Sequence, residues 1–488
     1  MEKHTYSTFD FIVKNSQEQK DTIFIEDDDG RKISYDDFRL FVTQTAYELS
    51  QLGIKKGSYV SLHCVRDVRL IIVECALFLL SAVAVLVPQL ESPSAFLSKT
   101  TFDYLPHYYV GSEGNELALF TRHGILLHTF SFAKDPSKLS FGEELNQQCD
   151  IYAPSLMLFT SGSTGKSKGV LLSQANFLAN YYGEGNIFGE RKDDRCLSFL
   201  PLQHIFAFVG FINAIVNGHY VYFMKKPHAY EMLEAIQEKK ITIVYAVPSI
   251  FHNMAKSQEE NHYDLSSLRY GLVSGAPASL ERLRWIESTL ACPLLPVYGM
   301  SEALGITTFL PGEEEKKRWS FVGKVSPFNE IKIAQNGEIL VKGETLMLGY
   351  AYGKGLYDPS RDSEGYFHTG DLGQIDADGY LTLLGRIKDI IIRGGENISP
   401  RKVETALTSI PEIDQAAVVG VKDSFFGEIV GAAIIFKEGC TLTQEEIKER
   451  LRLFLVKFEL PEKFLFLDSF PLTPTNKVDK EKLKQMLA

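Results

Sequence analysis

Leu156-Met-Leu-Phe-Thr-Ser-Gly-Ser-Thr-Gly-Lys-Ser-Lys-Gly169 runs an apolar segment into a loop of hydroxyls, glycines and lysines. Leu156 to Phe159 reads as a buried strand and Val170-Leu-Leu-Ser173 as a second short one, so the loop is predicted to turn between two strands. Gly162, Gly165 and Gly169 admit positive φ and let backbone N–H groups converge on an anion. Ser161, Ser163 and Thr164 add hydroxyl donors, while Lys166 and Lys168 add positive charge. Such a loop suits a polyphosphate. Gly165-Lys166-Ser167 imitates the end of a Walker A loop, but that pattern needs a glycine where Thr160 stands. It also needs a helix where residues 170–172 favour a strand, so P-loop kinase or ATPase chemistry is set aside.

Further motifs follow in order: Tyr298-Gly-Met-Ser-Glu302, Tyr366-Phe-His-Thr-Gly-Asp371, Gly385-Arg-Ile-Lys388, Gly394-Gly-Glu-Asn-Ile-Ser-Pro400 and Pro474-Thr-Asn-Lys477. Singly, each reads as a turn or a surface cation. Together with the loop, and over nearly the whole chain, they resemble the acyl-adenylate-forming enzymes: acyl- and aryl-CoA ligases, peptide-synthetase adenylation domains and luciferases. Three positions depart from that pattern. Ser167 replaces the usual proline, Ser301 the usual threonine, and Asn476 the usual glycine before Lys477. Asparagine tolerates left-handed backbone better than most residues, so the last turn is expected to survive.

The resemblance implies an α/β protein with two domains. Residues 1–387 would form a large multi-layered N-terminal domain, with parallel and mixed sheets, helices and a β-rich subdomain. Residues 388–488 would form a small mobile α+β C-terminal domain. The resemblance also implies ATP, Mg²⁺ and coenzyme A as cofactors and a small carboxylic acid as substrate, with an acyl carrier protein as the alternative acceptor. Thr160, Ser161, Gly162, Ser163, Thr164, Gly165 and Lys168 would hold the phosphates, and Glu302 the Mg²⁺. Tyr298 would stack on adenine beside Gly275 and Ala276, and Asp371 and Arg386 would meet the ribose. Ser301 would sit near the α-phosphate, His204 at the edge of the acyl pocket, and Lys477 would be the catalytic cation. Lys388 would be the hinge, and Gly394 and Gly395 would let a pantetheine arm pass close to backbone.

Peptide-synthetase domains place an aspartate near the start of the acid pocket, but His204-Ile-Phe-Ala-Phe-Val-Gly210 offers none. A substrate ammonium would lack a partner there, which argues against amino acids. Phe206, Phe208, Val247, Met300 and Leu304 favour an aliphatic or aryl acid. Luciferase-type oxidation is remote. A silent ATP-binding protein is disfavoured because Lys168, Glu302, Asp371 and Lys477 are all present.

The 488 residues exceed one ordinary core, and 45% hydrophobic with 23% charged residues suits a globular enzyme. The 51 basic and 62 acidic residues leave −11, which argues against a nucleic-acid binder. Six scattered cysteines without a CxxC pair suit reduced thiols in the cytoplasm. Met1-Glu-Lys-His-Thr-Tyr6 opens no secretory leader. Residues 70–87 are almost wholly apolar, yet Glu74 and Ser81 interrupt them and residues 83–87 are β-rich. A buried helix passing into a buried strand is predicted, with no transmembrane segment. Residues 22–34 read as a hairpin with an Asp-Gly turn, followed by a helix capped by Ser34. Ser173 is predicted to cap a helix over 174–184, residues 312–318 to form a solvated charged loop, and 444–454 a helix.

Overall fold

The computed structural model describes residues 6–63, 67–87, 108–111, 123–126, 136–160, 167–275, 280–309, 312–352, 355–358, 360–472 and 478–488. Ser161, Gly162, Ser163, Thr164, Gly165, Ala276 and Lys477 of the expected site lie outside them.

Among the described residues two large sheets dominate. The first orders Leu294–Pro296, Tyr270–Val273, Ile243–Ala246, Arg195–Ser198, Tyr220–Phe223, Ile23–Asp27 and Lys32–Ser34. Its neighbours are parallel except the last pair, which is the hairpin expected over 22–34, with Gly30 at φ +80°. Ser34 then caps the helix Tyr35–Gln51 by accepting from the Asp37 N–H at 3.1 Å. The second sheet orders Gly355–Tyr357, Gly349–Tyr352, Lys168–Ser173, Pro154–Thr160, Val83–Val87, Tyr59–His63, Tyr108–Gly111 and His123–Leu126. It is parallel from His123–Leu126 to Pro154–Thr160 and antiparallel beyond. The strand-to-strand loop quoted above therefore leaves the carboxyl end of Pro154–Thr160 where the sheet changes direction. Open α/β sheets bind ligands at such carboxyl ends.

Residues 70–87 behave as expected. The helix Arg69–Leu79 is buried at every position from Leu70 onward, and Val83–Val87 is buried on both faces, as a central parallel strand requires. No helix among the described residues is long and apolar enough to cross a membrane. An antiparallel sheet of Asn329–Ile333, Glu338–Gly343, Phe367–Ile375 and Leu381–Arg386 supplies β-rich structure, with Asn336-Gly337 turning its first hairpin.

Segments 312–318 and 174–184 depart from their expected structure. Residues 312–318 are not simply a solvated loop, because Glu315–Ser320 is helical and Arg318 is buried. Its guanidinium donates to the Leu294 carbonyl at 3.3 Å, to the Glu313 carbonyl at 2.5 Å, and to Glu287. A charge run conceals such an anchor because burial of one arginine leaves no periodic mark. The helix after Ser173 is α-helical only over Gln174–Asn180, then widens into a π-helical turn at Tyr181–Gly185. Gly183 and Gly185 allow close approach there: a Cβ on Gly183 would stand 2.7 Å from the Pro327 carbonyl oxygen.

The remainder holds the sheet Glu396–Ile398, Ile391–Arg393, Gly427–Phe436 and Ile413–Asp423, with Lys463–Phe466 joined parallel to Gly427–Phe436. Helices Pro400–Thr408, Gln444–Leu451 and Lys480–Leu487 pack with it. The helix expected over 444–454 stops at Leu451. Buried core residues of the larger part end at Leu381, and those of the smaller part begin at Ile391. Between them lies the 3₁₀ turn Ile387–Asp389, with Lys388 exposed. Among the described residues, polar contacts join the parts. Ser399 Oγ donates to the Leu384 carbonyl at 2.6 Å, and Arg282 meets Asp414 at 2.6 Å.

Candidate active site

Thr160 and Lys168 stand directly opposite each other in the antiparallel register, closing the neck of the loop between them. Thr160 Oγ1 faces Glu302 Oε1 at 3.4 Å, and the Tyr350 hydroxyl donates to the same Oε1 at 3.0 Å. Lys168 Nζ lies 4.8 Å from the centre of the Tyr350 ring. Burial, and then the Glu302 charge, push the Tyr350 phenol far above its ordinary range, so it stays a donor. Among the described residues, one cation, two hydroxyls and one buried carboxylate therefore meet at the mouth of the loop. Among the described residues no three His, Cys, Asp or Glu side chains gather to hold a metal by themselves. A single carboxylate beside a phosphate loop fits Mg²⁺, which takes one or two carboxylates and completes its shell with phosphate and water.

Asp371 is the centre of a second cluster. It lies on Phe367–Ile375 directly across from Arg386 on Leu381–Arg386. Arg386 Nε is 2.9 Å from Asp371 Oδ1, and the Tyr298 hydroxyl donates to Oδ2 at 2.8 Å. The Asp371 N–H donates to Thr369 Oγ1 at 3.1 Å within the strand. Tyr298 is 6% exposed, and burial followed by the Asp371 charge raises its phenol well above the ordinary value. An ionised carboxylate offers about four acceptor sites, so two partners leave room for two ligand hydroxyls.

The clusters are joined by Tyr298-Gly-Met-Ser-Glu302, which is a tight hairpin rather than a plain turn. Gly299–Met300 pairs with Leu304–Gly305 around Ser301, Glu302 and Ala303. A Cβ on Gly299 would stand 2.3 Å from the Leu304 carbonyl oxygen, so only glycine fits. Tyr298 holds Asp371 at one end of the motif, while Glu302 meets Thr160 and Tyr350 at the other. Half-buried Ser301 sits between them.

The other expected residues are more dispersed. Gly275, at φ +87° and exposed, follows the strand Tyr270–Val273. His204 heads the helix Ile205–Asn217 and is half-buried. Gly394 and Gly395, at φ +56° and +93°, turn the hairpin of Ile391–Arg393 and Glu396–Ile398, where the Gly394 N–H donates to the Phe426 carbonyl at 2.8 Å. Of the apolar candidates, Phe208 belongs to the core, its ring 4.8 Å from Phe177 and 5.8 Å from Phe78, and Leu304 is 2% exposed. Phe206, Val247 and Met300 keep some exposure. Sequence reasoning passed over Tyr350, Thr369 and Arg401. Arg401 opens the helix Pro400–Thr408, and burial lowers its guanidinium, with the charges of Glu404 and then Asp371 opposing. Thr369 stands inside the Tyr366–Asp371 motif, whereas neither Tyr350 nor Arg401 carries one. Their placement follows from strand pairing and from how the small part rests on the large one.

A layered α/β body with a strand-to-strand phosphate loop, a tyrosine–glutamate hairpin and a paired Asp–Arg defines a nucleotide-binding enzyme of the adenylating kind. The chain belongs to the AMP-binding enzyme family, whose pattern matches residues 12–351, with the AMP-binding enzyme C-terminal domain matching 402–477. It is 34% identical over 360 residues to the mitochondrial medium-chain acyl-CoA ligase ACSF2 of Danio rerio, covering 70% of this chain and 59% of that one. It is 34% identical over 351 residues to an indoleacetate–CoA ligase of Aromatoleum aromaticum, covering 69% and 68%. A probable CoA ligase of Humulus lupulus is 28% identical over 518 residues, covering 99% and 93%. Thus the Danio rerio match spans less than two thirds of its relative, whereas the hop match spans nearly all of it. Among solved structures, ATP-bound MatB of Rhodopseudomonas palustris shares the fold with a TM-score of 0.86 at 22% identity over 98% of both chains. The o-succinylbenzoate CoA synthetase of Bacillus subtilis, in complex with its acyl-adenylate, superposes with a TM-score of 0.82 at 25% identity over 97% of both.

Proposed function

We propose that the chain is an ATP-dependent acid–thiol ligase that adenylates an apolar carboxylic acid and passes the acyl group to coenzyme A. In the first step a substrate carboxylate oxygen bonds to the α-phosphorus, the bond to the β-phosphate breaks, and pyrophosphate leaves. In the second a thiolate sulfur bonds to the acyl carbonyl carbon and AMP leaves with the carbon–oxygen electron pair. One observation carries this reading most directly: the hairpin Tyr298–Glu302 links the Asp371–Arg386 cluster to the Thr160–Lys168 loop mouth. A nucleotide with its ribose at Asp371 and its phosphates at the loop would lie along that hairpin, presenting its α-phosphate near Ser301.

In this assignment Asp371 accepts the ribose hydroxyls while Arg386 and Tyr298 hold it in place. Lys168 and the hydroxyls from Thr160 to Thr164 bind the phosphates, with Gly162 and Gly165 admitting the close approach. Glu302 would hold Mg²⁺, which supplies charge neutralisation at the phosphates when bound. Gly275 and Ala276 border the adenine. Phe206, Val247 and Met300 line the acid pocket with His204 at its edge, which suits a fatty or aryl acid and not an amino acid. Lys477 stabilises the charge that grows as the carboxylate attacks. The working units are residues 1–387 and 388–488, with Lys388 as the hinge between adenylation and thiol attack. Relatives that are CoA ligases support coenzyme A as acceptor, delivered past Gly394 and Gly395. A cytoplasmic setting suits free Cys75, Cys149, Cys196, Cys292 and Cys440.

The test is pyrophosphate release over a panel of fatty, aryl and amino acids, each run with coenzyme A, with a holo acyl carrier protein and with neither. The expected result is release with a fatty or aryl acid and thioester only with coenzyme A. Release confined to amino acids, or thioester only on the carrier protein, would overturn the corresponding half of the proposal.

A further inference from the structure

The helix Gln444–Leu451 ends in Arg452-Leu-Phe-Leu-Val-Lys457. Leu455 turns into the core, but Leu453, Phe454 and Val456 are 81%, 58% and 51% exposed. Three neighbouring large apolar side chains held in water gain no packing, and a contiguous patch of that kind marks an interaction surface. Cations surround it. Arg452 and Lys457 flank the triplet and line a groove with Lys448, Arg393, Leu455, Leu460, Pro461 and Glu462. Neither Arg452 nor Lys457 has a carboxylate within ion-pair distance among the described residues.

The acids of this face are largely engaged. Glu462 pairs with Arg393, Glu459 with Lys402 at 2.6 Å and Glu412 with Arg450 at 2.6 Å, Glu446 accepts from Thr443 at the far end of the helix, and Glu445 and Glu449 stay exposed on it. A chain with a net charge of −11 therefore presents a local excess of cations around exposed hydrocarbon. The Arg393 guanidinium also lies 4.5 Å over the Phe426 ring, and the adjacent Phe425 is 85% exposed, which extends the apolar face.

We propose that this face docks on an anionic lipid bilayer, with Leu453, Phe454 and Val456 entering the headgroup boundary and Arg452, Lys457 and Lys448 meeting the lipid phosphates. Charge complementarity singles out that occupant. Phosphates on a soluble ligand would use the cations but leave the apolar triplet in water, whereas a bilayer boundary takes both. The docking stands independently of the ligase reading. If that reading holds, the docking brings the acid pocket to a phase in which apolar acids concentrate.

The test is co-sedimentation of the full chain with vesicles of phosphatidylcholine alone or of phosphatidylcholine with phosphatidylglycerol. Binding is expected only to the phosphatidylglycerol vesicles, and to weaken with salt. Each surface cation is worth roughly five-fold in affinity, so Arg452→Glu with Lys457→Glu should weaken binding by about thirty-fold or more. Leu453→Ser with Phe454→Ser should weaken it by about ten-fold or more. Both pairs should leave the thermal midpoint and vesicle-free pyrophosphate release unchanged. No binding to phosphatidylglycerol vesicles, or equal binding by the variants, would overturn the proposal. So would a vesicle-free loss of thioester formation with adenylate formation intact, which would give the face to the acyl acceptor. Absence of pyrophosphate release by the wild-type chain would count against the ligase reading alone, because vesicle binding is measured without turnover.

Discussion

Removing the Asp371 carboxylate should weaken nucleotide binding far more than it weakens the fold. The carboxylate is buried, takes the Tyr298 hydroxyl at 2.8 Å and meets Arg386 at 2.9 Å. In Asp371→Ala the buried phenol loses its acceptor, which costs about 1–3 kcal/mol. The Arg386 side chain is 49% exposed, so water replaces its partner and the loss of that pair adds about 0–1 kcal/mol. A ligand ribose would forfeit two hydrogen bonds to a charged acceptor, each worth about 1.5–3 kcal/mol. The expected result is a rise of roughly 10²–10⁴ in the ATP dissociation constant. Tyr298→Phe is the control. It removes the donor and leaves the carboxylate with Arg386, so ATP affinity should change by less than about ten-fold and stability by about 1 kcal/mol. Isothermal titration with ATP, paired with thermal unfolding, reads both quantities. A folded Asp371→Ala that binds ATP within about three-fold of wild type would refute the ribose assignment.

Lys477→Ala should slow acyl-adenylate formation by roughly 10²–10³, about 3–4 kcal/mol, and largely spare thioester formation from supplied adenylate. Lys388→Pro should do the opposite by fixing φ at the proposed hinge; single-turnover kinetics of each half-reaction distinguishes them, and equal losses in both steps would contradict the split. Gly299→Ala should open the tyrosine–glutamate hairpin, with a loss of about 1–3 kcal/mol in unfolding free energy and of pyrophosphate release, because its Cβ would collide with backbone. Burial raises the Glu184 carboxyl to about 8, so the folded chain holds a proton there that the unfolded chain releases near its ordinary value. Its contribution to stability is fully present below the unfolded pKa and is lost as pH rises toward about 8. Glu184→Gln should therefore melt above wild type at pH 8 and flatten the decline between pH 5 and 8, whereas parallel curves would show that Glu184 is not the group responsible.

Much of this arrangement was legible because its signals are local. Thr160 and Lys168 frame a loop whose flanking strands announce themselves as apolar runs, and the strand pairing that excludes a Walker A helix follows from residues 156–159 and 170–172. Asp371 and Arg386 stand in two of the quoted motifs, and the antiparallel pairing of their strands sets them opposite each other. What stayed hidden depends on contacts between distant segments. Tyr350 reaches Glu302 because Gly349–Tyr352 pairs with Lys168–Ser173, and no short-range pattern encodes that pairing. Arg318 looked like one of several solvated charges until the helix Glu315–Ser320 placed it against the Leu294 carbonyl. Tyr298, expected to stack on adenine, is held by its hydroxyl against Asp371, a role that hydropathy and spacing do not register.

The most direct test of the central claim is nucleotide product analysis in a single turnover with ATP, Mg²⁺ and an apolar acid, before and after adding coenzyme A. Pyrophosphate and enzyme-held acyl-adenylate should appear first, then AMP and acyl-CoA in equal amounts once the thiol is added. ADP and inorganic phosphate as the main products would contradict it.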